Sequence, residues 1–143
     1  MALFKIYNGA TALTAKPVAV TTGTSIKTLL QVVPSATLGM RIVEWGISFD
    51  GSAAATPGSV ELFESDVGAT VTAHVAAGIN KYDAAAVGGG DPTTNLIQVG
   101  TETSGYTASA EDTTTAARLF DAQLLPPTGP SDRSPATDSR FGE

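Results

Sequence analysis

Hydrophobic and polar positions alternate along much of the chain. The alternation is clearest over residues 40–50 (MRIVEWGISFD), where one parity is apolar and the other is polar or small. The apolar parity consists of Val43, Trp45, Ile47 and Phe49. Side chains of a strand point to opposite faces in turn, so a period of two predicts a strand with one buried face. We expect residues 40–50 to form a central strand with Trp45 directed inward.

Other segments show the same period and predict further strands. Pro17 restricts its segment to the start or the edge of a sheet, because proline donates no backbone hydrogen bond. Pro34 favours a strand over a helix in the segment before it. Turn signals separate successive strands by about ten residues, which is typical of an antiparallel sandwich or barrel. The segments are 3–7, 16–22, 25–33, 59–64, 69–75 and 96–100.

Residues 113–125 (TTTAARLFDAQLL) fit two kinds of element. Its residues alternate as a strand would: one parity holds Ala116, Arg118, Phe120, Ala122 and Leu124, and the other holds Ala117, Leu119, Asp121 and Gln123. Alanine, leucine, arginine and glutamine also propagate helices, so an amphipathic helix competes with the strand. We favour the strand because the segments before it follow a β pattern.

Two segments carry few strand signals. Residues 76–95 include Gly88 and Asp91 and form a long connection, which in a β scaffold is more often a contact surface than filler. Residues 126–143 hold four of the eight prolines and almost no apolar side chain, a composition typical of disorder. We expect one β domain over 1–125 and an extended tail over 126–143 that a neighbouring subunit holds.

Charge and composition exclude several classes of function. The 143-residue chain has no cysteine and one histidine, so it lacks thiol nucleophiles, thiolate metal sites and multi-histidine zinc sites. Eight Lys and Arg against fourteen Asp and Glu give a net charge of −6. Nucleic acid needs a basic surface, so it is not an expected partner. No apolar run reaches the ~18 residues that span a bilayer, and no secretion signal opens the sequence, so we also expect no membrane partner.

No group of residues predicts catalysis. The glycines before Asp91 are not followed by the Lys-Ser or Lys-Thr of a phosphate loop. Glu61 and Glu64 fall on opposite faces of one predicted strand, which does not suit a glycosidase pair. His74 lies on the threonine face of its predicted strand and has no identifiable orienting partner, so we expect it at a surface or an interface rather than in catalysis. We therefore expect no enzyme, no cofactor and no metal site.

Three stretches resemble small β-rich virion proteins of tailed bacteriophages, near the minor capsid and decoration proteins. They are residues 43–64 (VEWGISFDGSAAATPGSVELFE), 69–79 (ATVTAHVAAGI) and 106–130, which begin YTASAE and end ARLFDAQLLPPTGP. The resemblance covers most of residues 16–130 and implies a jelly-roll-like antiparallel β-sandwich. The family continues past the Pro-Pro segment into further apolar strands, whereas this sequence is polar after Pro130.

The resemblance implies an accessory capsid protein that binds and stabilises the phage shell on the virion surface. The expected partners are the major capsid protein and further copies of this chain, with a trimer as the implied oligomer. Alternatives are a tail or fibre component, or a carbohydrate-binding sandwich that stacks sugars on Trp45, Tyr82 or Tyr106. We expect the contacts to lie in the N-terminal segment, the long loop and the tail. The candidate interface residues are Leu3, Phe4, Tyr82, Asp91, Pro126, Pro127 and Phe141.

Overall fold

The computed structural model describes an all-strand arrangement. It covers residues 3–9, 20–23, 25–34, 40–51, 55–74, 79–81, 98–99, 102–128 and 132–141. Within these ranges every regular element is a strand, all strand pairs are antiparallel, and there is no helix. The strands are β1 (Phe4–Ile6), β2 (Leu30–Gln31), β3 (Met40–Ile47), β4 (Gly58–Ser65), β5 (Thr70–Ala73), β6 (Ile79–Lys81), β7 (Gln98–Val99), β8 (Glu102–Thr103), β9 (Gly105–Ala110), β10 (Ala117–Leu125) and β11 (Asp132–Phe141).

Most of the predicted strands are found. Those at 3–7, 40–50, 59–64, 69–75, 96–100 and 113–125 correspond to β1, β3, β4, β5, β7 and β10, so the helix alternative for 113–125 is wrong. In the segment 25–33, the strand β2 is limited to Leu30–Gln31. Residues 20–22 are not in a strand, and residues 16–19 lie outside the described residues. Strands β6, β8 and β9 were not predicted, because their polar and small residues show no clear alternation.

The chain divides into two compact units. Unit 1 consists of Met1–Leu38 and Val67–Thr113, and unit 2 of Gly39–Asp66 and Thr114–Glu143. Strand pairing explains this division, because each strand pair joins strands of the same unit. The single domain predicted over 1–125 stays a prediction, and we describe each unit by itself.

Unit 1 contains a three-stranded sheet of order β2-β9-β5 and the two-stranded pairs β1-β6 and β7-β8. Among its described residues, the buried apolar side chains are Ile79 and Ala108. His74 and Ser104 are buried with them, so the interior is small and partly polar. Gly105 lies where a Cβ atom would collide with the carbonyl oxygen of Thr72, so the close approach of β5 and β9 requires glycine there.

Strand β9 is irregular where it passes β5. Its register shifts between the pairs Thr70↔Ala110 and Thr72↔Tyr106, and Thr107 within the shift has a φ of 51°. The amide of Thr107 donates to the carbonyl oxygen of Leu29 at 2.9 Å. A non-glycine residue at positive φ costs free energy, so this bulge is held by the contacts around it.

Unit 2 contains two antiparallel two-stranded ribbons, β3-β11 and β4-β10. In β3 the side chains of Trp45, Ile47 and the following Phe49 are half-buried, as the alternation predicted. Val43, predicted to face inward with them, is instead 54% exposed. The pairing of β3 with β11 is irregular next to Val43, between the pairs Ile42↔Ser139 and Glu44↔Pro135, and this shift interrupts the alternation.

Residues 132–141 of the proline-rich tail form a strand that pairs within its own chain. The backbone of β11 (Asp132–Phe141) runs antiparallel to β3, whereas we expected a disordered tail or one held by a neighbouring subunit. Backbone hydrogen bonds need no apolar side chain, so composition does not reveal this pairing. Pro135 immediately precedes the register shift, consistent with the rule that proline in a sheet lies at edges or bulges.

Candidate interaction surfaces

The most distinctive surface lies on one face of the β4-β10 ribbon. Phe63 is directly opposite Leu119, and their side chains are 44% and 58% exposed. Leu124, opposite Ser59, is 71% exposed. Directly opposed residues of an antiparallel pair project from the same face. We call this exposed face the outer face; it consists of Ser59, Glu61, Phe63, Leu119, Ala122 and Leu124.

A β-bulge assembles the outer face. Leu119 pairs with Phe63 and Asp121 with Leu62, so Phe120 is an extra residue in β10. An extra residue inverts the alternation beyond it. Leu119, at an odd position, therefore shares a face with Leu124, at an even one. Without the bulge the two leucines would lie on opposite faces of the ribbon.

The inner face of the same ribbon holds polar groups. Val60 and Leu62 are half-buried there, opposite Gln123 and Asp121, which are half-buried too. The Gln123 side chain donates from Nε2 to Oδ2 of Asp121 at 3.0 Å. In an amphipathic ribbon the polar side chains normally face water and the apolar ones face inward. Here large apolar side chains face water while a carboxylate and an amide lie on the more buried face.

The carboxylates of β4 are separated as the sequence predicts. Glu64 lies on the inner face opposite Arg118, whose guanidinium is 3.5 Å from Oε2 of Glu64. Glu61 lies on the outer face opposite Ala122, between the Phe63–Leu119 pair and Leu124. The two glutamates thus project in opposite directions and cannot act on one bond. Glu61 is the charged side chain in the middle of an apolar surface.

Asp66 joins the ends of β4 and β10. Its carboxylate accepts hydrogen bonds from the amides of Thr115 (3.2 Å) and Ala116 (3.0 Å) and from the Thr115 hydroxyl. Its own amide donates to the Ala116 carbonyl oxygen at 3.1 Å. The Thr115 hydroxyl, followed by the amides, lowers the pKa of Asp66, because these donors favour the ionised carboxylate. The carboxylate therefore joins the end of β4 to the residues that precede β10.

His74 is buried in unit 1 with 3% of its surface exposed. Its Nε2 lies 2.9 Å from the carbonyl oxygen of Tyr7, which can only accept, so Nε2 carries the hydrogen. Its ring meets Tyr106 edge-on, with 5.2 Å between centroids and 74° between planes. Nδ1 has no hydrogen-bond partner within the described residues. The imidazole was expected at a surface or an interface; instead it packs in the interior, where its contacts are structural.

A shallow groove of about 220 Å³ lies in unit 1 beside β9. Ile26, 92% exposed, and Lys27 line it together with Glu111. Both carboxylate oxygens of Glu111 accept hydrogen bonds from Thr28, one from the amide and one from the hydroxyl, each at 2.6 Å. The carboxylate is therefore engaged in joining two segments of unit 1.

The predicted interface residues fall in different places. Leu3 is exposed and Phe4 is half-buried in β1 of unit 1. Pro126 is exposed after β10, and the carbonyl oxygen of Pro127 accepts a hydrogen bond from the Gly51 amide at 2.8 Å. The backbone of Phe141 pairs with Met40. Tyr82 and Asp91 lie outside the described residues. Pro127 and Phe141 belong to unit 2, and Leu3 and Phe4 belong to unit 1.

Sequence reasoning missed the outer face. One signal was present: apolar residues occupy both parities at Leu62-Phe63, Leu119-Phe120 and Leu124-Leu125. Adjacent apolar residues in a strand place apolar side chains on both faces of a ribbon. The pattern could have identified strands with apolar side chains on both faces, but it could not locate the bulge that places Leu119 and Leu124 on one face.

The described residues contain no cluster of three or more His, Asp or Glu side chains that could hold a metal ion. In the same part of the chain, no helix has the length and apolar character needed to cross a membrane. Comparison of the sequence with family models and with curated proteins, and of the fold with solved structures, found no match.

Proposed function

We propose that this protein is an accessory capsid protein of a tailed bacteriophage, located on the virion surface, that binds the major capsid protein and stabilises the shell. The assignment to phage rests on the resemblance of residues 43–64, 69–79 and 106–130 to virion proteins. The structural observation that supports a binding role is the exposed apolar outer face of β4-β10. An apolar face turned to water favours association with another protein surface.

The composition suits a permanent interface. Charged residues make up 15% of the chain, against about 25% in an average domain. Burying a charge in an interface costs free energy unless it is paired, whereas burying alanine, threonine methyl or glycine costs little. A surface poor in charge can therefore be covered over a large area at low desolvation cost, which is what shell reinforcement requires.

The jelly-roll-like sandwich belongs to this proposal. Within the described part of unit 2, each ribbon has two strands, and two-stranded ribbons are marginally stable alone in water. Their outer edges offer backbone groups to a further strand. We expect neighbouring subunits to complete these edges, and the implied trimer would provide them.

The alternatives differ in location and in ligand. A tail or fibre component would share the composition and the apolar surface and differ in copy number. A carbohydrate-binding module needs free aromatic platforms. Tyr106 is half-buried against His74, which leaves it poorly placed to stack a sugar. The structure therefore favours protein binding over sugar binding at this residue.

Quantitative mass spectrometry of gradient-purified phage particles tests the proposal. We expect this chain in a fixed, stoichiometric ratio to the major capsid protein. A few copies per particle would assign it to the tail or fibre. Absence from the particle would contradict a virion role and would make a glycan array the next measurement.

A further inference from the structure

Along β10 the polarity is opposite to the one that water favours, and Phe63 of β4 adds to the exposed apolar side. Phe63, Leu119 and Leu124 are exposed, whereas Asp121 and Gln123 lie on the half-buried side of the same ribbon. Apolar area exposed to water costs roughly 25 cal/mol per Å², and this ribbon recovers that free energy if a second apolar surface covers it. The polarity of β4-β10 therefore indicates a ribbon that is covered when the protein functions.

Glu61 limits what can cover the outer face. It lies between the Phe63–Leu119 pair and Leu124, so a surface that covers these residues also covers its carboxylate. An ionised carboxylate is costly to bury unless a cation pairs with it. The remaining outer-face residues, Ser59 and Ala122, supply no positive charge. The covering surface must therefore be apolar and carry a lysine or arginine.

A second copy of this chain does not meet that requirement through the same face. Two outer faces packed together would enclose two Glu61 carboxylates and no cation from either face. The net charge of −6 on each copy adds repulsion between them. The charge complementarity thus favours a different protein over self-association through this face.

We propose that the outer face of β4-β10 is the surface by which this protein docks on the major capsid protein, and that the docked surface is apolar and presents a lysine or arginine to Glu61. This inference rests on the proposed function and adds to it the contact residues and the chemistry of the partner. Phe63 and Leu119 form the apolar centre of the contact, and Glu61 determines the charge of its partner.

Binding to phage shells assembled without this protein tests whether the apolar side chains of the outer face contribute to docking. Co-sedimentation of purified wild type and of the variants Phe63→Thr and Leu119→Thr gives their dissociation constants. Central apolar side chains carry most of an interface's affinity, so we expect each variant to bind at least about tenfold more weakly. Threonine keeps a good strand propensity at both positions. The control is Ile26→Thr, an apolar position in unit 1 that is more exposed than Phe63 or Leu119, and this variant should bind like wild type.

The variant Glu61→Gln tests whether a cation of the partner pairs with Glu61. The affinity for the shell should fall if a cation is present and rise if none is. If a lysine or arginine of the shell pairs with Glu61, the glutamine variant binds several-fold more weakly and Glu61→Lys more weakly still. If the outer face is covered by a surface without a cation, removing a buried charge makes Glu61→Gln bind more tightly than wild type. Glutamine is nearly isosteric with glutamate, so this variant keeps the fold.

The outcomes separate the two proposals. Failure of wild type to bind the shells overturns the proposed function and the docking inference with it. Wild-type binding that is equal in Phe63→Thr, Leu119→Thr and Ile26→Thr leaves the function in place and overturns the docking face. Tighter binding by Glu61→Gln overturns the proposed partner chemistry. Sedimentation equilibrium showing a wild-type dimer that Leu119→Thr abolishes would assign the face to a second copy instead.

Discussion

At the scale of single residues, His74 combines burial, one hydrogen bond and an aromatic contact. We predict that His74→Ala lowers the free energy of unfolding of unit 1 by about 3 kcal/mol, because it leaves a cavity against Tyr106 and removes one of the two hydrogen bonds that the Tyr7 carbonyl oxygen accepts. His74→Phe keeps the aromatic packing and loses only the hydrogen bond, so we expect a loss of about 1 kcal/mol. Urea unfolding measures both. Equal losses in the two variants would show that the hydrogen bond to Tyr7, rather than the packing, holds the residue.

The contribution of Asp66 to the stability of the folded protein depends on pH. Its hydrogen bonds to Thr115 and Ala116 lower its pKa in the folded state, so the folded protein binds this proton less readily than the unfolded chain. Its stabilising contribution is therefore fully present above the pKa of the unfolded chain, about 4, and is lost as the pH falls through the lower folded value.

We predict that Asp66→Asn has a lower urea midpoint than wild type at neutral pH and that the difference narrows as the pH falls below about 4. The asparagine keeps one acceptor and loses the charge that the Thr115 and Ala116 donors favour. Asp50→Asn is the control, since Asp50 is exposed and has no hydrogen bond or ion pair within the described residues. A wild-type to Asp66→Asn difference that is constant between pH 2 and 7 would contradict this assignment.

At the scale of elements, the pairing of β5 with β9 depends on a glycine. A Cβ atom on Gly105 would collide with the Thr72 carbonyl oxygen and with the Val71 side chain. We predict that Gly105→Ala destabilises unit 1 by about 2 to 4 kcal/mol, because the strands must separate to admit the methyl group. Gly23→Ala is the comparison: Gly23 has a φ of 71° with open space around it, so the cost there is about 1 kcal/mol. Thermal unfolding of the two variants measures whether Gly105→Ala is more destabilising than Gly23→Ala.

At the scale of the whole molecule, the two-stranded ribbons should be the least stable part of the free protein. We predict that amide hydrogens of β3 and β11 exchange faster than those of β9, which has a partner strand on each side. Binding to a shell favours the folded form, so the same amides should exchange more slowly in the particle. Hydrogen exchange on free and shell-bound protein makes the comparison. Equally slow exchange in the free protein would show that these ribbons need no partner.

The local pattern of the sequence determined which segments are strands where one face is apolar. The alternation around Trp45 predicted β3, and the shorter patterns around Val60 and Val71 predicted β4 and β5. Period-two alternation is a local property, so it can be seen without knowing the partner strand. The opposite orientations of Glu61 and Glu64 followed from the same reasoning.

The alternation along the chain could not predict which strands pair with one another. Strand β9 and the tail strand β11 have polar or small side chains, and they are strands because their backbone groups meet those of β5 and β3. The extra residue Phe120 in β10 also becomes visible only once β10 is aligned with β4.

The sequence by itself therefore determined the class of structure, strand-rich and antiparallel, and the absence of cysteine and of a second histidine, because composition and alternation depend on each residue and its near neighbours. Only the tertiary structure decided which side chains share the exposed outer face. The side on which Phe63, Leu119 and Leu124 meet, with Glu61 among them, depends on register and on one bulge, and these are set by hydrogen bonds between segments more than fifty residues apart.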